Sequence, residues 1–350
     1  MRGNEAIPQA AIDAGCRAFF GYPITPQNQI PDYMAAHMPE VGGVFLQAES
    51  EISAINMVYG AAAAGVRVMT ASSSPGISLK QEGISYIAES ELPCVIVNIV
   101  RGGSGLGNIA PSQCDYFQAV KGGGHGDYRT FVLAGWSVQE LYDLTRAAFA
   151  LADRYRNPVL LLADALLGQM MEPVVIPHEV VDPTALPLKP WATTGAKGRR
   201  HNIINSLHIY PPDLEQSNLR LLARYQEAAE CEVRFSTENL EDAEYAIVAY
   251  GTAARVVVTA IQQARAEGIP VGLLRPISLF PFPSSRISSL AEKVKAILVV
   301  ELSLGQMVED VRLAVEGRCP VHFLGRSGGV VVTPPEVLEA IKALVERRRE

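Results

Sequence analysis

Three residue types at fixed places in this chain could do chemistry together. Thr25 sits in Gly21-Tyr22-Pro23-Ile24-Thr25-Pro26, a turn carrying two prolines. Each proline fixes its own φ, and the residue before it is pushed out of the α region, so the Thr25 hydroxyl is held in one place. Farther on, Gln47-Ala48-Glu49-Ser50-Glu51 puts two carboxylates at the start of a small-residue stretch expected to be helical over 49–65. A fixed hydroxyl and a carboxylate facing the interior, each following a short apolar run, suit a pocket for a polar cofactor ring. Arg101 closes the apolar run 93–100 and precedes Gly102-Gly103. A guanidinium there suits a bidentate hold on a substrate carboxylate and suits a rim salt bridge equally well. Ser72-Ser73-Ser74-Pro75-Gly76 reads as a turn with Ser74 as helix cap and Pro75 at the first helical position.

Each candidate has a plainer reading. Glu49 or Glu51 alone is more simply an acid favoured by the dipole of a helix start. Gly103-Ser104-Gly105-Leu106-Gly107-Asn108 lacks the G-x-G-x-x-G spacing, and its helix starts only near Ser112, so a lid fits at least as well as a phosphate loop. His125 follows Gly122-Gly123-Gly124 and has no second histidine at ligand spacing, which leaves contact and surface roles equally open. Cys16, Cys94, Cys114, Cys231 and Cys319 are odd in number and include no C-x-x-C pair, which disfavours a structural zinc or self-contained cluster site. Cys94 and Cys319 read as core, and Cys114 sits in a polar loop-to-helix segment. H-E-x-x-H is absent, and the G-x-S-x-G match Gly325-Arg326-Ser327-Gly328-Gly329 runs on into Val330-Val331-Val332 and not into a helix, which leaves hydrolases little support.

The elements that must position these groups alternate between strand and helix. Strands are expected over 18–20, 44–48, 67–71, 93–100, 130–134 and 159–163, with helices over 49–65, 77–89, 112–120 and 138–155. Parallel sheets bind ligands beyond the carboxyl ends of their strands, and Thr25, Glu49, Glu51, Ser72-Ser73-Ser74 and Arg101 all fall there. The alternation stops near Glu172. Pro173, Pro177, Pro183, Pro187 and Pro190 lead into a Gly/Lys/Arg stretch and a helix around 213–229. A second α/β unit begins near Ala243, with strands over 245–250, 271–274, 297–300 and 321–324, and an extended proline-rich segment, 275–283. The expected division is therefore 1–172, a linker with a docking helix over 173–241, and 242–350. The fold class is α/β, with two open, mostly parallel-sheet domains.

At 350 residues the chain is too long for one ordinary core. Hydrophobic residues at 48% and charged residues at 19% fit a well-buried α/β protein. The net charge of -7 argues against nucleic acid as a partner. Arg347-Arg348-Arg349 is expected to close a C-terminal helix and compensate its dipole. No apolar run reaches the roughly 20 residues that span a bilayer, and no apolar signal core opens the chain, so the cytoplasm is the expected location and no membrane partner is expected.

With these residues in hand, the chain resembles the alpha subunit of 2-oxoacid:ferredoxin oxidoreductases. The resemblance rests on the proline turn, on Gly60-Ala61 nine residues beyond Glu51, and on Thr70-Ala71-Ser72-Ser73-Ser74-Pro75-Gly76 with Arg101-Gly102-Gly103. In the second half, Leu274-Arg275-Pro276, Pro281-Phe282-Pro283 and Glu301-Leu302-Ser303-Leu304-Gly305-Gln306 are similar to that subunit's C-terminal part. Gly105-Leu106-Gly107-Asn108-Ile109-Ala110-Pro111-Ser112-Gln113, Asp115-Tyr116-Phe117 and the triple glycine look most like the branched-chain, 3-methyl-2-oxobutanoate, type.

The resemblance implies a thiamine diphosphate pyrimidine-binding domain followed by a transketolase C-terminal-like domain. It implies that Glu51 hydrogen-bonds N1′ of the aminopyrimidine, with Glu49 as the nearest rival. Thr25 would lie beside the thiazolium and substrate, and Arg101 would bind the substrate carboxylate. Pro23, Ile24, Ser73 and Ser74 would line the cofactor, and Gly102 and Asn108 would meet the substrate. No metal site is expected in this chain. Mg²⁺ and iron–sulfur clusters would belong to partner chains: a beta subunit holding the diphosphate, and small ferredoxin-like and gamma subunits. Ferredoxin would take the electrons and coenzyme A the acyl group. Pyruvate or 2-oxoglutarate as substrate, a thiamine-dependent decarboxylase, and a non-catalytic scaffold subunit remain alternatives.

Overall fold

The computed structural model describes residues 1–177 and 180–346; His178 and the expected helix end at Arg347-Arg348-Arg349 lie outside them. In the first half, strands β1 (Ala18–Gly21), β2 (Val44–Gln47), β3 (Val68–Ser72), β4 (Cys94–Val100), β5 (Phe131–Leu133) and β6 (Pro158–Asp164) alternate with helices. Those helices are α1 (Gly3–Asp13), α2 (Gln29–His37), α3 (Glu51–Ala63), α4 (Ser74–Glu89), α5 (Tyr116–Val120), α6 (Val138–Tyr155) and α7 (Ala165–Gln169). The helix α8 (Pro211–Cys231) follows. The second half holds β7 (Phe235–Glu238), β8 (Tyr245–Val248), β9 (Val271–Pro276), β10 (Ser278–Phe280), β11 (Ala296–Glu301) and β12 (Val321–Gly325). Its helices are α9 (Gly251–Ala266), α10 (Ser284–Ala291), α11 (Met307–Val315) and α12 (Pro334–Glu346).

The first sheet runs β10-β5-β6-β4-β3-β1-β2, and the second runs β12-β11-β8-β9-β7. β4 lies between β3 and β6, parallel to both, and all seven of its residues are buried. That explains its near-continuous apolar run, since a central parallel strand is covered on both faces. One apolar cluster includes Val58, Ile84 and Ile96 of the first sheet's layers and Val248, Leu274 and Val299 of the second sheet. A second cluster covers the other face of the first sheet and receives Leu221, Tyr225 and Ala228 of α8.

Several local expectations shift. The helix expected over 49–65 starts at Glu51, because Ser50 is extended and its hydroxyl accepts the Ser53 N–H at 3.2 Å. Helix α4 starts at Ser74, three residues before the expected 77, and Ser73 takes the cap position expected of Ser74. The capping bond comes from a neighbouring strand: Asn98 Oδ1 accepts the Ser74 N–H at 3.1 Å. The helix expected from Ser112 begins at Tyr116, since Ser112-Gln113 is engaged with the second half of the chain. Phe235–Glu238, within the stretch read as linker, is an antiparallel strand of the second sheet beside β9. The proline-rich segment 275–283 does more than extend. Its Ser278–Phe280 pairs antiparallel with β5 and adds an edge to the first sheet, where Phe280 stacks on Phe131 and meets Tyr225 edge-on.

Candidate active site

Four neighbouring strands of the first sheet, β4-β3-β1-β2, deliver the candidate residues to one edge. The register pairs Gly21 with Gln47 and Ser72 with Asn98. The chain leaves the sheet on this edge four times: into the Thr25 turn, into Glu51 and α3, into Ser73-Ser74 and α4, and, two residues farther along β4, into Arg101.

Glu51 is the first residue of α3 and only 6% exposed. No described residue hydrogen-bonds to its carboxylate. The first turn of α4 presses on it. A Cβ on Gly76 would lie 2.6 Å from Glu51 Oε1 and 2.1 Å from Ser72 Oγ, so only glycine fits. The Ser72 hydroxyl is buried and has no partner. An acceptor carboxylate and an unfilled hydroxyl, side by side at the strand ends, can receive the N–H groups of a polar ring. Glu49 points elsewhere: it is exposed, and the Ser53 hydroxyl donates to it, which holds its carboxyl below the usual range.

Arg101 is 7% exposed. Its Nη1 donates to the Thr25 carbonyl at 2.9 Å and its Nη2 to the Leu106 carbonyl at 3.1 Å. Its Nε is buried without a partner. The guanidinium thus ties the proline turn to the glycine loop and leaves its Nε unpartnered. Thr25 is exposed beside it, with Pro23 exposed and Ile24 half-buried.

The remaining candidates divide. The Ser73 hydroxyl donates to the Ile99 carbonyl at 2.7 Å, and the Ser74 hydroxyl accepts the Arg101 N–H at 3.1 Å, so both face β4. Ser72 is the serine that meets Glu51. Gly102 is buried; its N–H donates to Ala110 and its carbonyl accepts from Asn108 N–H, both at 2.9 Å. The Asn108 amide reaches away, donating to the Gly328 carbonyl at 2.8 Å and accepting the Ala110 N–H at 2.9 Å. Cys114 is half-buried, and burial with the nearby Asp115 charge pushes its thiol up, away from nucleophilic chemistry. His125 is exposed and meets the Tyr86 ring edge-on at 5.9 Å. Among the described residues no three acidic, histidine or cysteine side chains could hold a metal ion, and no helix is long and apolar enough to cross a membrane.

One charged group went unseen in the sequence. Lys80 on α4 is fully buried, and its Nζ donates to Thr70 Oγ1 at 3.0 Å. Burial pulls its pKa down to about 8, against the opposing pull of the Glu51 charge. Its signal was present: Gly76, Lys80 and Gly83 share one helical face that is otherwise small and apolar.

The segments that carry the site also carry exposed apolar side chains: Tyr22, Leu46 on the edge strand β2, Ile52, Leu106 and Ile109. Such a rim around polar groups marks an interaction face.

Comparison with known proteins agrees with this architecture. A family described as "Pyruvate flavodoxin/ferredoxin oxidoreductase, thiamine diP-bdg" matches residues 9–210, and "Pyruvate:ferredoxin oxidoreductase core domain II" matches residues 243–337. The ketoisovalerate oxidoreductase subunit VorB of Methanothermobacter thermautotrophicus is 53% identical, over 98% of this chain and 96% of its own length. The 2-oxoglutarate synthase subunit KorA of Methanothermobacter marburgensis is 37% identical, over 98% of each. Among solved structures, a 2-oxoglutarate:ferredoxin oxidoreductase from Magnetococcus marinus with 2-oxoglutarate, coenzyme A and succinyl-CoA bound superposes with a TM-score of 0.85 at 27% identity. That match covers 99% of this chain and 65% of the solved one. A split-gene transketolase, 14% identical with a TM-score of 0.63 over 99% and 98% of the two chains, shares the fold. The chain belongs to the 2-oxoacid:ferredoxin oxidoreductase family, as the subunit that carries the thiamine diphosphate-binding domain.

Proposed function

We propose that this chain supplies Glu51, Thr25 and Arg101 to an active site shared with a second subunit. The reaction is oxidative decarboxylation of 3-methyl-2-oxobutanoate to an acyl-CoA and CO₂, with reduction of ferredoxin. The observation that carries this reading is Glu51: a buried carboxylate with no hydrogen-bond donor among the described residues, on an edge ringed by exposed apolar side chains. Half of a cofactor pocket has that form, and the other half belongs to a partner.

Thiamine diphosphate, when bound, supplies the carbon nucleophile and the electron sink for decarboxylation. Glu51 accepts a hydrogen bond at the aminopyrimidine N1′ and fixes that ring against α4. The orphan Nε of Arg101 orients the 2-oxoacid carboxylate, while its two other nitrogens keep the Thr25 turn and the 102–108 loop in place. Pro23, Ile24 and Thr25 border the pocket from the β1 side.

Two things support the branched-chain acid. The identity is 53% to a ketoisovalerate subunit against 37% to a 2-oxoglutarate subunit. In addition, no charged residue stands between Gly102 and Cys114. A loop that met a second carboxylate would need a cation there, whereas Leu106 and Ile109 suit an apolar side chain. Mg²⁺, the iron–sulfur clusters and the diphosphate grip are assigned to partner subunits, a beta subunit with small ferredoxin-like and gamma chains. None of the described cysteines forms a disulfide, which fits the reducing cytoplasm.

The test is anaerobic viologen reduction by the assembled complex with thiamine diphosphate, Mg²⁺ and coenzyme A. It compares 3-methyl-2-oxobutanoate, pyruvate, 2-oxoglutarate and an aryl pyruvate. Coenzyme A-dependent reduction led by the branched-chain acid is expected. Another acid in the lead overturns the substrate and keeps the reaction. CO₂ release without coenzyme A or acceptor moves the chain to a decarboxylase.

A further inference from the structure

Lys80 is a full charge placed where packing does not call for one. Helices α3 and α4 meet along a seam with two close approaches. Gly76 lies against Glu51, and Gly83 lies against Ile55, where a Cβ would come within 2.5 Å of Ile55 Cγ2. Lys80 falls between them, four residues after Gly76 and three before Gly83, on the same helical face. The side chain is sealed, with 0% exposure. Its Nζ donates to Thr70 Oγ1, a neutral and equally buried group on β3. An ammonium has three donors, and burying it beside a single hydroxyl is unfavourable without a counter-charge. The charge that acts on it is Glu51. A methionine would fill the same seam with no charge to bury.

We propose that Lys80 is a positioning residue for Glu51, supplying from inside the α3–α4 seam the counter-charge that holds its carboxylate as the acceptor facing the cofactor ring. This rests on the assignment of Glu51 made above. A buried ammonium attracts a nearby carboxylate and so biases the direction in which that side chain is held. A carboxylate held as acceptor at the pocket meets a ring nitrogen that donates. Lys80 touches neither cofactor nor substrate; it acts through Glu51.

The test uses the assembled complex carrying Lys80→Met, Lys80→Gln, Lys80→Arg or Glu51→Gln. Three quantities are read: thiamine diphosphate affinity by calorimetry, the near-ultraviolet circular dichroism of the bound aminopyrimidine, which reports its tautomer, and kcat against KM. Lys80→Met is expected to assemble, to change the tautomer signal, and to lower kcat roughly 10- to 100-fold while the 2-oxoacid KM moves less than about threefold. Lys80→Arg restores a charge and recovers part of both. Lys80→Gln keeps a donor for Thr70 without the charge, so it separates charge from packing and decides the matter if Lys80→Met does not assemble. A wild-type tautomer signal and kcat in Lys80→Gln overturn the proposal. If Glu51→Gln is itself fully active, the Glu51 assignment fails first. If Glu51→Gln is inactive while Lys80→Gln is unchanged, only the Lys80 role fails.

Discussion

The strand-end pocket and the seam between the two sheets are built from the same kinds of polar residue, and their charged groups finish in opposite states, although the Tyr250 and Thr252 hydroxyls beside the seam also lack a partner. At the seam, Gln113 uses its N–H, its Nε2 and its Oε1, bonding to Leu302, Tyr250 and Leu302 again. Arg275 places its two Nη atoms on Glu140 at 2.7 and 2.8 Å and its Nε on Ser236, with its guanidinium 4.1 Å above the Trp136 ring. Both oxygens of Glu301 accept backbone N–H groups of the residues leading into and starting α11. At the pocket, Ser72 Oγ and Arg101 Nε have no partner, Glu51 has no described donor, and large apolar side chains stand exposed. Buried polar groups are ordinarily paired. A charged group that the chain pairs by itself needs nothing further, whereas an unpaired one at an open edge can take what binds there.

The largest effect is expected at the pocket, from Glu51→Gln, which removes the acceptor charge. Turnover in viologen reduction is expected to fall about 10²- to 10⁴-fold with assembly unchanged, and near-wild-type turnover would sink the assignment. At the seam, Arg275→Ala leaves Glu140 without its bidentate partner. Thermal or urea unfolding is expected to show a loss of about 3 kcal/mol, with the 2-oxoacid KM in the assembled complex unmoved. A KM change there without destabilisation would mean that the seam is part of the catalytic machinery.

Arg101→Ala falls between the two. Losing a charge-assisted hold is expected to raise the 2-oxoacid KM roughly 10- to 100-fold and the coenzyme A KM far less. Equal effects on both constants would make Arg101 a brace for the Thr25 turn alone.

The smallest effect is on pH dependence. The Lys80 pKa is lowered in the folded chain from 10.5 to about 8. Between those values the unfolded chain holds a proton that the folded chain has released, so this residue makes stability rise with pH across that window. Urea unfolding of the isolated chain at intervals from pH 8 to 10 should show a shallower rise for Lys80→Met than for wild type. Identical slopes would mean that Lys80 keeps its proton in the fold.

The repeated strand–helix order was legible because central parallel strands are apolar throughout, as in Cys94–Val100, and helices show their own period. The placing of Thr25, Glu51 and Arg101 on one edge followed from the rule for strand ends. The edge strand Ser278–Phe280 was not legible. It is short, lies among prolines, and pairs with a strand far away in sequence, so no local pattern announces it. Helix starts slipped for a related reason. Ser50 caps α3 through its own hydroxyl and so starts it two residues after the expected Glu49, but α4 is capped by Asn98 from another strand, which no local reading could supply.

The choice between the two glutamates is likewise tertiary. Residues 49 and 51 flank the cap Ser50, and the packing of Gly76 against Oε1 accompanies the inward turn of Glu51 while Glu49 stays in solvent. The Ser73 and Ser74 hydroxyls, read as pocket lining, are drawn to β4, while the unpartnered one belongs to Ser72. By itself the sequence determined the α/β class, the four strand ends and the residue types that reach them, because apolar period and proline geometry act over a few neighbours. The tertiary structure decided which carboxylate, hydroxyl and amine face inward, because burial and close approach are set by elements distant in the chain.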